Sequence, residues 1–250
     1  MPDFSQIKAI IFDYGGTLDT GAVHWAYVLQ DAFRHVGITV RDDEFRQAYV
    51  FAERRLAAEP IILPNDNFHQ LLLKKTNIET QYLVDTGAWH TNETEREKRA
   101  RAAADYCYLF AHRTINQSKI TLHTLRKRYP LALVTNFYGN IHTVIRDFQF
   151  DYFSTVVESA VVGVRKPDPA IFQIAVQALA CPPERTLVVG DSYEKDILPA
   201  HTIGCRTVWM KGHEWTTKER DEQAADAIIT SLTQLPQLLH INTQEHTQTA

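Results

Sequence analysis

The stretch AIIFDYGGTLD, Ala9 to Asp19, decides the fold: a short run that is apolar throughout stops at the carboxylate of Asp13, followed by Gly15, Gly16 and Thr17. A run with no polar alternation suits a strand covered on both faces, as in a parallel sheet. Open α/β sheets place their ligand crevices at the carboxyl ends of such strands, and glycines there let the backbone approach a ligand closely. Two further runs repeat the pattern, LALV before Thr135 and LVVG before Asp191. Thr135 and Asp191 are therefore expected beside Asp13 at one sheet edge. Helical spacing lies between and after the runs, in INQSKITLHTLRKRY, GNIHTVIRDFQF and PDPAIFQIAVQALA. Strand then helix, repeated, implies an α/β fold with a parallel sheet. FSTVVES from Phe153, CRTVWM from Cys205 and, as an edge, ADAIIT from Asp226 supply further strands before a terminal helix SLTQLPQLLH.

Between Gly21 and about His112 that rhythm breaks. AVHWAYVLQDAFRHVG, DDEFRQAYVFAERRLAAE, NDNFHQLLLKKTN and NETEREKRARAAADYCYLFAH all have helical spacing, without strands between them. The expected organisation is thus a sheet core from 1–20 and 113–240, an inserted all-helical cap at 21–112, and a loose polar tail at 241–250. A cap that closes on a site excludes water and fixes a substrate. Substrate selection is expected there, with Trp25, Arg41, Arg46, Arg54, Arg55 and Trp89 as conceivable contacts.

Composition narrows the classes. The chain has 250 residues, 44% hydrophobic and 22% charged, and a formal net charge of -4 with both signs dispersed. That lacks the clustered Lys and Arg of a nucleic-acid footprint, and no run approaches the length of a membrane span. Neither nucleic acid nor membrane is an expected partner. Cys107, Cys181 and Cys205 have no CxxC spacing, and the start has no signal-peptide pattern. The expectation is a cytoplasmic chain with reduced thiols. The eleven histidines include no HExxH or other zinc spacing. Nothing in the sequence sets an oligomeric state.

Two carboxylates at adjacent strand ends form a hard, oxygen-rich pocket suited to Mg²⁺, which needs one or two carboxylates together with water and phosphate oxygens. Phosphate is then the natural ligand, and Lys166, in a loop just before a helix marked by Pro167 and Pro169, brings a fixed positive charge.

DYGGTLD, VTN, RKPDPAIF and GDSYEKD, in that order, resemble the four signature motifs of the haloacid dehalogenase superfamily, mostly Mg²⁺-dependent phosphohydrolases with a Rossmann-like core. The resemblance runs from about Lys8 to Trp209, and the insertion is similar to the helical C1-type cap of one subfamily. It implies helices on both faces of the sheet and a small phosphorylated substrate. It also implies that Asp13 is the nucleophile forming an aspartyl phosphate, that Thr135 and Asn136 bind phosphate, and that Lys166 balances its charge. Mg²⁺ would be held by Asp13, Asp191 and the Gly15 carbonyl, while Asp196 supports the metal shell or orients Lys166.

One position departs from the pattern. Most phosphatases of the superfamily carry aspartate two residues after the nucleophile as general acid and base; here Gly15 stands there. Such catalysis is worth about 10²- to 10⁴-fold. Activity is expected to favour good leaving groups, or to take a proton from substrate, water or a residue such as Tyr14 or His24. The alternatives are a non-catalytic phosphate-binding protein, a carbon–halogen hydrolase, whose relatives alter the fourth motif that GDSYEKD keeps intact, and a carbon–phosphorus hydrolase. The last would need a Schiff-base lysine in the cap. Lys74 and Lys75 are expected instead as solvated helix charges.

Overall fold

In a computed structural model of the chain, which describes residues 3–215 and 222–241, six parallel strands form one sheet. They are β1 (Ala9–Phe12), β2 (Leu131–Thr135), β3 (Thr155–Glu158), β4 (Thr186–Gly190), β5 (Arg206–Met210) and β6 (Ala227–Ile229), in the order β3-β2-β1-β4-β5-β6. This is the doubly wound Rossmann-like order, with β1 at the point where the winding reverses. All four residues of β1 are fully buried. Since successive side chains point to opposite faces, both faces are covered, which is why AIIF reads apolar without alternation. On one face, Ile11, Ala132, Val134 and Val188 pack with Ile171, Phe172, Ala175 and Val176 of α7 (Ala170–Ala178). Each large aliphatic or aromatic side chain buried this way contributes about 1.5–3 kcal/mol.

Register carries the three expected residues to one edge. Phe12 pairs with Leu133 and with Val189, so Asp13, Thr135 and Asp191 all fall at or just past the carboxyl ends of the three central strands.

The described residues fall into two compact units. One is drawn from Met1–Val23, Thr114–Asn136 and Asp151–Ala250 and holds the sheet; the other, drawn from His24–Arg113 and Phe137–Phe150, is helical. The helical unit contains α1 (Trp25–His35), α2 (Asp42–Ala58), α3 (Phe68–Asp85) and α5 (Ile141–Asp147). It therefore also takes in 137–150, a segment grouped with the sheet on sequence. α3 starts at a reciprocal cap, in which the Asn67 side chain accepts from the Gln70 backbone N–H and the Gln70 side chain from that of Asn67. It runs beyond the expected NDNFHQLLLKKTN because Ile78 to Asp85 contain no breaker. α4 (Glu93–Leu125) is a single helix of 33 residues, although its sequence reads as two. No Gly or Pro interrupts it, so nothing stops propagation at His112.

The remaining short helices are α6 (Ser159–Val162), α8 (Leu198–Thr202) and α9 (Leu235–Leu238). The expected terminal helix is present as a 3₁₀ turn, Leu232–Gln234, leading into α9. Cys107, Cys181 and Cys205 are free thiols. No helix among the described residues is long and apolar enough to cross a membrane. Of the tail expected at 241–250, all but Ile241 lies outside the described residues.

Candidate active site at the carboxyl edge of the sheet

Asp13 leaves β1 with its backbone N–H on the carbonyl of Val189 at 3.0 Å, which fixes the side chain at the switch point. Its side chain is 6% exposed and forms an ion pair with the ammonium of Lys166, itself 4% exposed. The same ammonium donates to Asp196 Oδ1 at 2.6 Å. The other oxygen of Asp196 accepts from the Ser192 backbone N–H at 3.0 Å, so this carboxylate is committed on both sides and holds Lys166 in place. Asp196 reaches this position from a single π-helical turn, Tyr193–Ile197, directly after β4.

Thr17 joins the two outer carboxylates. Its hydroxyl stands 3.0 Å from Asp13 Oδ2 and 3.1 Å from Asp191 Oδ1, and it accepts from the Asp191 backbone N–H at 3.0 Å. One hydroxyl proton serves only one carboxylate at a time. Asp19, also buried, closes the loop by accepting from the Gly16 N–H at 2.7 Å. The Trp209 indole N–H fixes the Asp191 carbonyl at 2.8 Å. Thr17 and Asp19 lie in the same stretch as Asp13, and sequence reasoning assigns neither a role. Their signal was their spacing, four and six residues after Asp13, which is enough to fold the loop back on itself.

The two glycines differ. Gly16 has φ +102°, and a Cβ there would come within 2.4–2.6 Å of the Asp191 carboxyl, whereas a Cβ on Gly15 would meet nothing within 4 Å. Gly16 is thus required by backbone conformation and close approach. Gly15 is an exposed position with open space around it.

Thr135 is buried at the end of β2, level with Glu158 on β3. The Asn136 side chain ties down the backbone of Lys166: its amide donates to the Lys166 carbonyl and its oxygen accepts from the Lys166 N–H, both at 2.9 Å. Asn136 thereby holds the loop that presents the ammonium. Of the two residues considered as substitute proton donors, Tyr14 is fully buried, and His24 caps α1, its Nδ1 accepting from the Ala26 N–H at 3.2 Å. Neither Lys74 nor Lys75 is the solvated charge expected. Lys74 bonds the Ile61 carbonyl and pairs with Asp66, and Lys75 is buried against Glu53.

Electrostatically, the edge is crowded with negative charge. Burial, then the charges of Asp13 and Asp196, hold the Asp191 carboxyl well above the ordinary range. Burial pushes Asp196 up to about 6 against the pull of the Lys166 ammonium. Burial alone would lower Lys166, but the carboxylates of Asp13 and Asp196 outweigh it and raise it. Oxygens of Asp13, Asp191 and Asp196 lie within 4.8 Å of one another, so three carboxylates face one ammonium. An all-oxygen donor set with excess negative charge fits a small divalent cation such as Mg²⁺.

The family model for haloacid dehalogenase-like hydrolases matches residues 7–204. Over 140 residues the chain is 33% identical to a glyceraldehyde 3-phosphate phosphatase of Pyrococcus furiosus, covering 54% of this chain and 56% of that protein. It is 34% identical over 122 residues to the pyrimidine 5'-nucleotidase YjjG of Escherichia coli, covering 47% and 53%. With the phosphoserine phosphatase of Thermus thermophilus, the match is 36% over 87 residues, covering 34% and 35%. The chain thus spans little more than half the length of the first two of these curated relatives and about a third of the last. Among solved structures, the HAD-hydrolase YfnB of Bacillus subtilis, described as bound to magnesium, superposes with a TM-score of 0.60 at 21% identity, covering 94% of this chain and 99% of that one. A dehalogenase with an intermediate complex reaches a TM-score of 0.63 at 18% identity, covering 95% and 99%. At such identities the structural likeness speaks for the fold alone.

Proposed function

The chain belongs to the haloacid dehalogenase-like hydrolases, and on that footing we propose that it is a Mg²⁺-dependent phosphohydrolase acting on a small phosphorylated metabolite through an aspartyl phosphate on Asp13. The observation that carries this reading is the Asp13 carboxylate, held at the sheet's switch point between the Lys166 ammonium and the Thr17 hydroxyl. A carboxylate attacks phosphorus only when the phosphoryl group is held in line and its charge is neutralised.

Mg²⁺, held by Asp13, Asp191 and the Gly15 carbonyl, would neutralise phosphoryl charge and fix its orientation. Lys166 supplies a second positive charge, kept in place by Asp196 through its ammonium and by Asn136 through its backbone. Thr135 is the proposed phosphate contact from β2. In the first step a bond forms from an Asp13 oxygen to phosphorus, and the bond from phosphorus to the leaving oxygen breaks. In the second, water attacks the same phosphorus, releasing inorganic phosphate and restoring the carboxylate. The helical segment at 21–112 is the proposed cap that selects the leaving group. Named relatives act on glyceraldehyde 3-phosphate, a pyrimidine nucleotide and phosphoserine, which supports small phosphoesters as the class.

The leaving oxygen needs a proton, and Gly15 has no side chain to give one. We therefore expect phosphates with acidic leaving groups to be hydrolysed fastest. Rates across aryl and alkyl phosphates should fall steeply as leaving-group pKa rises, and a flat dependence would contradict unassisted departure. Because a Cβ at position 15 meets nothing within 4 Å, Gly15→Asp has room for the missing acid. It should raise alkyl phosphate hydrolysis by about 10²- to 10⁴-fold. Phosphate binding with no Asp13-dependent turnover of any aryl phosphate would favour the non-catalytic alternative.

A further inference from the structure

The helical unit carries a second buried charge cluster that the proposed chemistry does not use. The Lys75 side chain on α3 is 6% exposed; its ammonium bonds Oε1 of Glu53 on α2 and lies 4.5 Å from the centroid of the Tyr49 ring. The other oxygen of Glu53 accepts from the Tyr138 hydroxyl at 3.2 Å, and the Glu53 side chain remains 37% exposed. One helical turn after Lys75 comes Glu79. It is completely buried, and neither carboxyl oxygen has a hydrogen-bond partner among the described residues.

Positions four apart on a helix lie on one face, so Lys75 has two acids in reach and is bonded to one of them. The ionisable groups facing Glu79 are Lys75 on its own helix, Glu53 from α2 and Cys107 from α4. The neighbouring hydroxyls are committed elsewhere, that of Thr76 to the Leu73 carbonyl and that of Thr80 to the Thr76 carbonyl. Arg96 of α4 is taken by Glu93, Asn77 and Thr80. A bare carboxylate in that place would be a buried charge without compensation, so Glu79 is held in its protonated form. Burial pushes its carboxyl up to about 8, with Lys75 pulling it down and Glu53 adding to the rise.

We propose that Lys75 is a two-position latch: it holds Glu53 while Glu79 carries a proton and passes to Glu79 when that proton is lost, leaving Glu53 to the Tyr138 hydroxyl and solvent. One proton goes from Glu79 to solvent. Lys75 keeps its own throughout: burial would lower its pKa, but Glu53 and Glu79 outweigh burial and raise it. The linkage has a definite sign. Between 4.5, the ordinary value, and about 8 the folded chain keeps a proton that the unfolded chain has lost. Stability therefore falls as pH rises through that window and levels off above it.

Infrared titration of the full chain, paired with thermal unfolding over the same pH range, tests the latch in wild type, Glu79→Gln and Glu53→Gln. Wild type should show a protonated-carboxyl band that fades near pH 8, together with a melting temperature that declines up to that pH. Glu79→Gln should lose that band and its share of the decline, leaving only what the raised carboxyls of Asp191 and Asp196 contribute in every variant. In Glu53→Gln the ammonium has Glu79 as its one remaining acid, so the band should fade about one pH unit lower or more. A Glu79→Gln spectrum and pH slope identical to wild type would overturn the proposal, as would a Glu53→Gln titration at the wild-type pH. Should Glu79→Gln fail to fold, the Glu53→Gln titration still decides.

Discussion

Two buried lysines in this chain each face two acids, and the difference between them separates a site built for charge from a cluster left short of partners. Lys166 bonds both Asp13 and Asp196, and the second oxygen of each acid is engaged in turn, by Thr17 and by the Ser192 backbone. Among the described residues Lys75 bonds the acid of Glu53 alone, while the carboxyl of Glu79 stands beside it with no hydrogen bond. In both places the carboxylates more than offset the burial that would lower the lysine's pKa. What differs is how the surplus acid is handled. At the sheet edge the further carboxylate is Asp191, partly exposed and positioned with its neighbours like a metal ligand set. In the helical unit the surplus acid is sealed in and carries a proton instead.

The contrast can be broken by substitution. Lys166→Met would strand Asp13 and Asp196 as buried unpaired charges and should cost about 3–5 kcal/mol of stability in denaturant unfolding. Lys75→Met leaves a protonated Glu79 and a Glu53 that can turn to solvent, so it should cost about 1–3 kcal/mol. Equal losses would remove the distinction. Acting on the acids instead, Asp196→Asn should cost about 1–3 kcal/mol because it breaks a committed hydrogen bond. Glu79→Gln at pH 8 should not lower stability at all. The loop after β1 holds a contrast of its own. Gly16→Ala, at φ +102° and against the Asp191 carboxyl, should cost about 1–3 kcal/mol. Gly15→Ala should stay within about 0.5 kcal/mol of wild type. A Gly15→Ala loss as large as that of Gly16→Ala would mean that position 15 is not the open space the backbone describes.

Part of the sheet edge is legible in sequence, because three of its residues each follow an apolar run. Asp13, Thr135 and Asp191 needed only the parallel-sheet rule to be placed together, and the spacing in GDSYEKD made Asp196 a candidate. What the pattern left out was the wiring. That the Asn136 side chain binds the backbone of Lys166, or that Thr17 bridges two carboxylates, depends on loop closure between segments far apart in the chain. The Lys75 cluster was misread for a related reason. LLLKKTNIETQ places charges at helical spacing, which resembles a solvated face. Their burial is decided by what α2 and α4 set against α3, and the spacing within one helix does not carry that information. The break expected near His112 also failed to appear, since helix propagation needs a stop signal and Glu93–Leu125 has none.

The central claim is that Asp13 is a phosphoryl acceptor served by Lys166 and a divalent cation. Its most direct test is the hydrolysis rate of an aryl phosphate by the full chain with and without Mg²⁺, in wild type and in Asp13→Asn. Turnover should be abolished by a chelator and restored by Mg²⁺, with Asp13→Asn slower by roughly 10⁴-fold or more. Turnover that persists in Asp13→Asn, or that ignores both chelator and Mg²⁺, would contradict it.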